Sequence, residues 1–203
     1  GIHERMAVFD LYFRNMPFDS GYAVFNGLKR VIQFVENFKF TDSDIAYLAS
    51  IGYQDDFLEY LKQLRFTGHI HAMQEGELCF GNEPMLRVEA PLIQAQLLET
   101  ELLNIINFHT LIATKASRIR QVAPNDVLME FGTRRAQELD AALWGARAAY
   151  IGGFNSTSNV RAGKLFGLPV SGTHAHALVQ TYGDEYTAFK KYAERHKDCV
   201  FLV

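Results

Sequence analysis

Apolar residues change their spacing several times along this chain, and each change marks an element. At the start, Ala7-Val8-Phe9-Asp10-Leu11-Tyr12-Phe13-Arg14 is dense in aromatic and β-branched residues and is stopped by Asn15-Met16-Pro17, which predicts a strand. Val24, Leu28, Val31, Ile32 and Val35 then recur at helical spacing. Thr41 followed by Asp44 reads as a capping signal for a second helix around Ile45–Ile51, and a third helix covers Asp55–Leu64. Short β-like runs at Phe66–Ala72, Glu77–Phe80 and Leu86–Ala90, separated by Gly76 and by Gly81-Asn82-Glu83-Pro84, predict an antiparallel part. From Pro91 to about Ser117 neither Gly nor Pro interrupts after the first position. Leu92, Ala95, Leu98, Leu102, Ile105, Ile106 and Leu111 trace the apolar face of one long helix there.

After Pro124 the rhythm becomes an alternation of strand and helix. Strands are expected at Val127–Phe131, at Ile151–Phe154 and near Pro169–Ser171, with helices at Gln137–Tyr150 and Ser158–Phe166. A last amphipathic helix, Glu185–His196, leads into an apolar strand, Cys199–Val203. Alternation of this kind implies a parallel sheet with right-handed crossovers, and four strands are too few for a closed barrel, which needs about eight. The expected fold is therefore α/β plus α+β. An α+β front domain spans residues 1–121 with its long helix at 91–117, and residues 122–203 form the first strands and helices of a partial α/β barrel, the boundary falling near Gln121–Asp126. No internal repeat or low-complexity segment is visible, and the apolar ending at Val203 looks cut.

Composition narrows the partners. With 48% apolar and 21% charged residues, the 203-residue chain can bury a sizeable core. A net charge of −3 without any Lys/Arg run argues against nucleic acid or a polybasic membrane surface as the main partner, so an anion site has to be local. No apolar stretch approaches the roughly 20 residues that span a bilayer and no signal-peptide order opens the chain, which suggests a soluble, cytoplasmic protein. Cys79 and Cys199 are far apart and outside any CxxC spacing, so both are expected to be reduced core thiols.

Ligands of parallel α/β architectures sit at the carboxyl ends of the strands, and three polar clusters follow the expected strands. In Phe131-Gly132-Thr133-Arg134-Arg135, a glycine allows close backbone approach and two guanidiniums suit bidentate anion contact, although surface arginines at a helix start would look the same. Gly152-Gly153-Phe154-Asn155-Ser156-Thr157-Ser158-Asn159 offers small hydroxyl and amide groups that cap a helix or leave amide N–H groups for an anion. Ser171-Gly172-Thr173-His174-Ala175-His176 carries two imidazoles, the natural proton-transfer or phosphoryl-accepting groups near neutral pH. His69-Ile70-His71 and His174-Ala175-His176 both show the alternate spacing of a metal pair, which keeps a zinc or dimetal hydrolase open as a reading. Such barrels also need further His and Asp ligands from later strands, and no other His stands near a strand end after residue 176. His109, at the edge of the long helix's apolar face, fits a packed or solvated residue.

FDLYFRNMPF, GYAVFNGL, DIAYL, LRFTG, NEPMLRVEAP, QLLETELLNIINFHTLIATKASR, FGTRRA, GARAAYIGGFNSTSNV and SGTHAHA occur in this order over essentially the whole chain. Together they resemble the nicotinate phosphoribosyltransferase family. The resemblance implies a barrel of the type II phosphoribosyltransferase kind, and a chain that begins after the family's N-terminal Asp-Leu-Tyr-Gln-type segment and stops before the second half of the barrel. Those outer pieces hold the tyrosine that stacks on the pyridine ring across a dimer interface, the arginine for nicotinate and the loops for the ribose 5-phosphate, so a chain of this extent alone would lack groups the reaction needs. Among the positions present, His176 falls on the family's phosphorylatable histidine and Thr173 on a nicotinate-contacting threonine. Phe131 and Arg134 match the aromatic and basic lining of the pyridine and phosphate pocket, and Ser158 and Asn159 match polar loop residues nearby. His174 stands where the family usually has an uncharged residue, and His109 where glutamine is common.

What the resemblance implies is transfer of phosphoribose from phosphoribosyl pyrophosphate to nicotinate, giving nicotinate mononucleotide and pyrophosphate in NAD synthesis. ATP would phosphorylate His176, Mg²⁺ would enter with ATP and phosphoribosyl pyrophosphate, no cofactor would be tightly bound, and the protein would be a homodimer. A nicotinamide or quinolinate phosphoribosyltransferase, or a metal-dependent barrel hydrolase using the His-x-His pairs, are the alternatives. A non-catalytic half-barrel with exposed sheet edges is a third.

Overall fold

The computed structural model describes residues 1–199, which form two compact units, Gly1–Val170 and a smaller one from Ser171 onward. In the first, β1 (Met6–Leu11), β5 (Leu86–Pro91) and β3 (His69–Ala72) make an antiparallel sheet in the order β1-β5-β3. Phe9 and Ile70 both pair with Val88, and that face buries Leu86, Val88 and Ala90, with Phe9, Leu11 and Ile70 packed against them. Helix α4 (Leu92–Val122) starts directly from β5 and covers the sheet with Ala95, Leu98, Leu102 and Ile106. At 31 residues α4 outruns the expected helix by about a turn, because nothing before Ala123-Pro124 breaks it. The helices α1 (Leu28–Glu36), α2 (Asp42–Ser50) and α3 (Asp55–Gln63) fall close to the expected positions. Thr41 caps α2 through a full capping box with Asp44, and Ile45, Leu58, Leu61 and Leu64 form a satellite core.

One expectation at the front fails. Val24, taken by its spacing as the first apolar position of a helix, lies in the strand β2 (Ala23–Val24), paired with β4 (Leu78–Cys79). Gly27, at φ 109°, separates that strand from α1 in a conformation few other residues adopt. Among the described residues, no strand pairs with the opposite edge of β2. There the Val24 amide donates to the Thr114 hydroxyl (2.9 Å), the Asn26 amide donates to the Thr110 hydroxyl (3.2 Å), and that hydroxyl donates back to the Asn26 carbonyl (3.2 Å). Threonines one turn apart on α4 thus act as the missing neighbour strand, which matters because an unpaired buried amide is costly. Cys79 is buried beside this strand, and burial pushes its thiol up to about 11. Cys199, expected in the core, is half-buried.

The chain after α4 supplies β6 (Met129–Glu130), α5 (Leu139–Ile151), β7 (Ser156–Thr157) and α6 (Val160–Phe166). β6 and β7 run parallel, and Val170 adds a parallel bridge to Thr157. The fold is therefore mixed α/β, antiparallel in front and parallel behind. The strand expected at Ile151–Phe154 is absent: Ile151 ends α5, and the strand comes later at Ser156–Thr157. Gly152 lies so close to α4 that a Cβ on it would stand 2.4 Å from the Ala113 carbonyl oxygen, so the segment serves as a helix-packing contact. Arg147 of α5 reaches back to Glu75 in a bidentate pair (2.9 and 2.6 Å), and one Glu75 oxygen also accepts from the Gly27 amide at the start of α1 (2.9 Å). In the second unit, α7 (His176–Tyr182) and α8 (Glu185–Ala193) pack on each other, and α8 is shorter than its expected Glu185–His196. Of the final strand expected at Cys199–Val203, all but Cys199 lies outside the described residues.

Thr110→Val deletes the hydroxyl that serves both backbone polar groups of Asn26, and urea unfolding should read a loss of about 1–3 kcal/mol that Thr110→Ser largely restores. Burial pushes the Glu75 carboxyl up, but Arg147 and the Gly27 and Lys29 amides outweigh it, so the group titrates below its ordinary value of 4.5. A carboxylate so lowered stabilises the fold above its unfolded pKa, and that contribution fades as pH falls through the folded value. Glu75→Gln should therefore cost roughly 3 kcal/mol at pH 7, and the gap to wild type should narrow below pH 4.5.

Candidate functional site

β6 and β7 are only two residues long, and the side chains beyond their carboxyl ends hold the junction together. The ladder continues past the strands through the Ser158 amide, which donates to the Glu130 carbonyl (2.9 Å), and the Thr157 amide, which donates to the Pro169 carbonyl (3.1 Å). The Glu130 carboxylate accepts from the Thr157 hydroxyl (2.6 Å) and from the Gly132 amide. The Asn159 amide donates to the Thr157 hydroxyl (3.0 Å), its side-chain oxygen caps α6 at Ala162 (3.0 Å), and its side-chain nitrogen reaches the Thr133 hydroxyl (3.4 Å).

This geometry brings four of the sequence-predicted residues to one place. Phe131 and Arg134 follow β6, with Arg134 in the short 3-10 turn Thr133–Arg135, and Ser158 and Asn159 follow β7. Phe131 is 38% exposed and Arg134 is exposed, with none of its guanidinium N–H groups bonded within the described residues, which leaves the fork available to an anion. The same loop ends at Glu138, a non-glycine residue at φ 83° that caps α5 through its carboxylate, which accepts from the Asp140 amide (2.9 Å). Such strain persists only where the surroundings enforce it.

A second set of bonds anchors the junction to α4. Arg120 donates to the carbonyls of Ala123 (2.8 Å), Asp126 (2.8 Å) and Gly153 (2.9 Å) and to the Asn155 side-chain oxygen (2.6 Å). That oxygen also accepts from the Leu128 amide (2.8 Å). Glu130 and Arg120 were not singled out in the sequence, and Asn155 and Thr157 stood in the second polar cluster with no role of their own. An arginine near a helix end and small polar residues near a strand look like ordinary solvated positions until the two loops are seen side by side.

The second unit carries the remaining predicted residues. Thr173 lies in the extended segment before α7, and His176 is the first residue of that helix, whose N-cap, Ala175, provides no side-chain bond. His174 packs its ring against Phe189 and Tyr192 of α8, at centroid distances of 5.7 and 5.4 Å, which gives this family departure a packing role.

His109 turns out to be a core residue, 3% exposed, with its ring against Trp144 of α5 (5.5 Å). Burial lowers its pKa, and a bond from Nδ1 to the Ile105 carbonyl (2.7 Å) requires the proton on Nδ1. It lines a cleft of about 1290 Å³ between α1, α4 and the start of α5, which none of the six predicted site residues lines. The rings of His69 and His71 lie 6.5 Å apart on the sheet. Among the described residues, no three His, Cys, Asp or Glu side chains converge to hold a metal, and no helix is long and apolar enough to cross a membrane.

Residues 1–107 match the family model for the nicotinate phosphoribosyltransferase (NAPRTase) N-terminal domain. A nicotinate phosphoribosyltransferase of Bacillus subtilis is 68% identical over 100% of this chain and 42% of its own length, and nicotinate phosphoribosyltransferase 2 of Arabidopsis thaliana is 46% identical over 90% of the chain and 33% of its own. Among solved structures, human nicotinic acid phosphoribosyltransferase superposes with a TM-score of 0.83 at 40% identity, over 88% of this chain and 37% of that one. Nicotinate-nucleotide pyrophosphorylase from Pyrococcus furiosus follows with a TM-score of 0.76 at 26% identity, over 94% and 41%. The chain thus spans less than half the length of these relatives.

Arg120→Lys keeps the charge but loses the fork, which serves the Ala123, Pro124, Asp126 and Gly153 carbonyls and the Asn155 side-chain oxygen at once. Chemical denaturation should show a loss of about 2 kcal/mol, and limited proteolysis should cut first within residues 122–128.

Proposed function

We propose, from the premise that this chain belongs to the nicotinate phosphoribosyltransferase family, that the protein transfers phosphoribose from phosphoribosyl pyrophosphate to nicotinate in NAD synthesis. The observation that carries this reading is the junction beyond β6 and β7, where the loop carrying an exposed aromatic ring and an exposed arginine runs beside the loop carrying Ser158 and Asn159. In the same reading, β6, β7 and Val170 open a partial α/β barrel over residues 122–203, and residues 1–121 are its α+β front domain. The protein acts in the cytoplasm as a homodimer.

The pyridine nitrogen of nicotinate attacks C1 of the sugar and pyrophosphate leaves, so positive charge builds on the ribose and negative charge on the leaving group. Phe131 offers its ring to the pyridine, and Arg134 a bidentate contact to an anionic oxygen. Ser158 and Asn159 contribute polar contacts, and Thr173 contacts the nicotinate carboxylate. His176 accepts the γ-phosphoryl group of ATP on a ring nitrogen as ADP leaves, and hydrolysis of that phosphohistidine drives the transfer towards product. Mg²⁺ arrives as part of the ATP and phosphoribosyl pyrophosphate complexes.

The Pyrococcus match supports a second reading, a sister pyridine phosphoribosyltransferase, which differs in how the ring substituent is held. Assays of the full-length gene product with nicotinate, nicotinamide and quinolinate separate the two. Nicotinate mononucleotide should form from nicotinate and phosphoribosyl pyrophosphate with ATP and Mg²⁺, whereas product from quinolinate alone would overturn the first reading. His176→Ala should abolish product-linked ATP hydrolysis while slow uncoupled transfer persists; unchanged coupling would remove His176 from its role. Thr173→Ala should chiefly raise the KM for nicotinate. Arg134→Lys should impair the reaction despite keeping its charge, and wild-type kinetics there would make Arg134 a surface residue.

A further inference from the structure

We propose that Glu130 is the positioning residue of this site: its carboxylate ties the loop carrying Phe131 and Arg134 to the loop carrying Ser158 and Asn159. The inference rests on the phosphoribosyl-transfer reading for its kinetic consequences and on geometry alone for the link itself.

Both carboxylate oxygens are engaged, and each by a different loop. One accepts the Gly132 amide, immediately after Phe131, and the other accepts the Thr157 hydroxyl, immediately before Ser158. The Thr157 hydroxyl in turn accepts the Asn159 amide (3.0 Å), so the chain of bonds runs Gly132, Glu130, Thr157, Asn159 from one loop to the other. Thr157 is 1% exposed and cannot exchange this partner for bulk water. The parallel ladder beneath is two residues long and is a weak clamp by itself, so loop register falls to these side chains. The residue at 132 is part of the device: a Cβ there would stand 2.7 Å from Glu130 Oε1, so any side chain at 132 displaces the carboxylate from its seat. With both oxygens occupied by neutral donors of the protein, Glu130 acts through the loops and needs no contact with substrate.

The full-length gene product carries the test, with Glu130→Ala, Glu130→Gln and Gly132→Ala. A glutamine can keep both bonds, its oxygen accepting from the Gly132 amide and its NH₂ group donating to the Thr157 hydroxyl, whereas alanine keeps neither. Glu130→Ala should raise the KM for nicotinate or phosphoribosyl pyrophosphate by about tenfold or more through misplaced contacts. Glu130→Gln should restore KM to near the wild-type value, and Gly132→Ala should behave like Glu130→Ala. Amide hydrogen exchange at Gly132 and Asn159 gives a readout independent of catalysis, expected to quicken about tenfold in Glu130→Ala and Gly132→Ala and to stay slow in Glu130→Gln. Unchanged exchange in the alanine variants would overturn the link. A glutamine variant as impaired as alanine would also overturn it, because the charge of the carboxylate rather than its bond to each loop would then be at work. If the wild-type protein formed no nicotinate mononucleotide, the functional reading would fail while exchange still decided the role of Glu130. Should Glu130→Ala not fold, Gly132→Ala and Glu130→Gln carry the comparison.

Discussion

Between Tyr22 and Gly27 the backbone is buried with a strand on one side only, and its remaining amides must find partners on a helix. A helix offers no free backbone donors or acceptors along its middle, so only side chains can answer, and Thr110 and Thr114 do. Thr114 closes the arrangement by donating to the Thr110 carbonyl one turn back (2.6 Å), a bond that spares its hydroxyl from being an unmatched donor. This constraint fixes how far α4 stands from β2. Because α4 also carries the apolar face that covers β1, β5 and β3, it fixes the depth of the whole front core.

The same helix governs the rear of the first unit. Ala113 and Ala116 are small enough for Gly152 to close against them, Trp144 rests on His109, and Arg120 at the end of the helix gathers the carbonyls around the start of β6. From the Arg120 contacts, the path to the loops beyond β6 and β7 is short. Asn155 links Arg120 to the Leu128 amide, and Glu130 links the two loops themselves. The residues assigned to substrate are thus held by residues assigned to none, the usual division between a first layer of contacts and the layer that aims it.

Long elements were legible in the sequence because their signal is repeated. Seven apolar positions announce α4, and a run dense in aromatic and β-branched residues announces β1. The errors fall where an element is too short for periodicity to speak. Val24 and Leu28 are spaced like one helix face, yet Gly27 between them turns the chain and the first becomes a strand residue. Ile151 looks like the start of a strand because two glycines follow it, but those glycines serve close packing and the exit from α5. At the junction beyond β6 and β7, Phe131, Arg134, Ser158 and Asn159 were singled out from motif order. Glu130 and Arg120 were not, since their importance lies in partners 27 and 35 residues away in the chain.

The pairing of β1 with β5 has a consequence for how the protein is made. Phe9 must meet Val88, and no other strand among the described residues takes β1's place in that sheet. On a ribosome adding about 5–20 residues per second, β1 therefore waits several seconds, with Phe9 and Leu11 uncovered, before its partner and then α4 emerge. During that interval the nascent chain presents an unpaired apolar strand edge, the kind of surface that holding chaperones bind. A strand translated well before its partner is thus among the last elements of its sheet to become native.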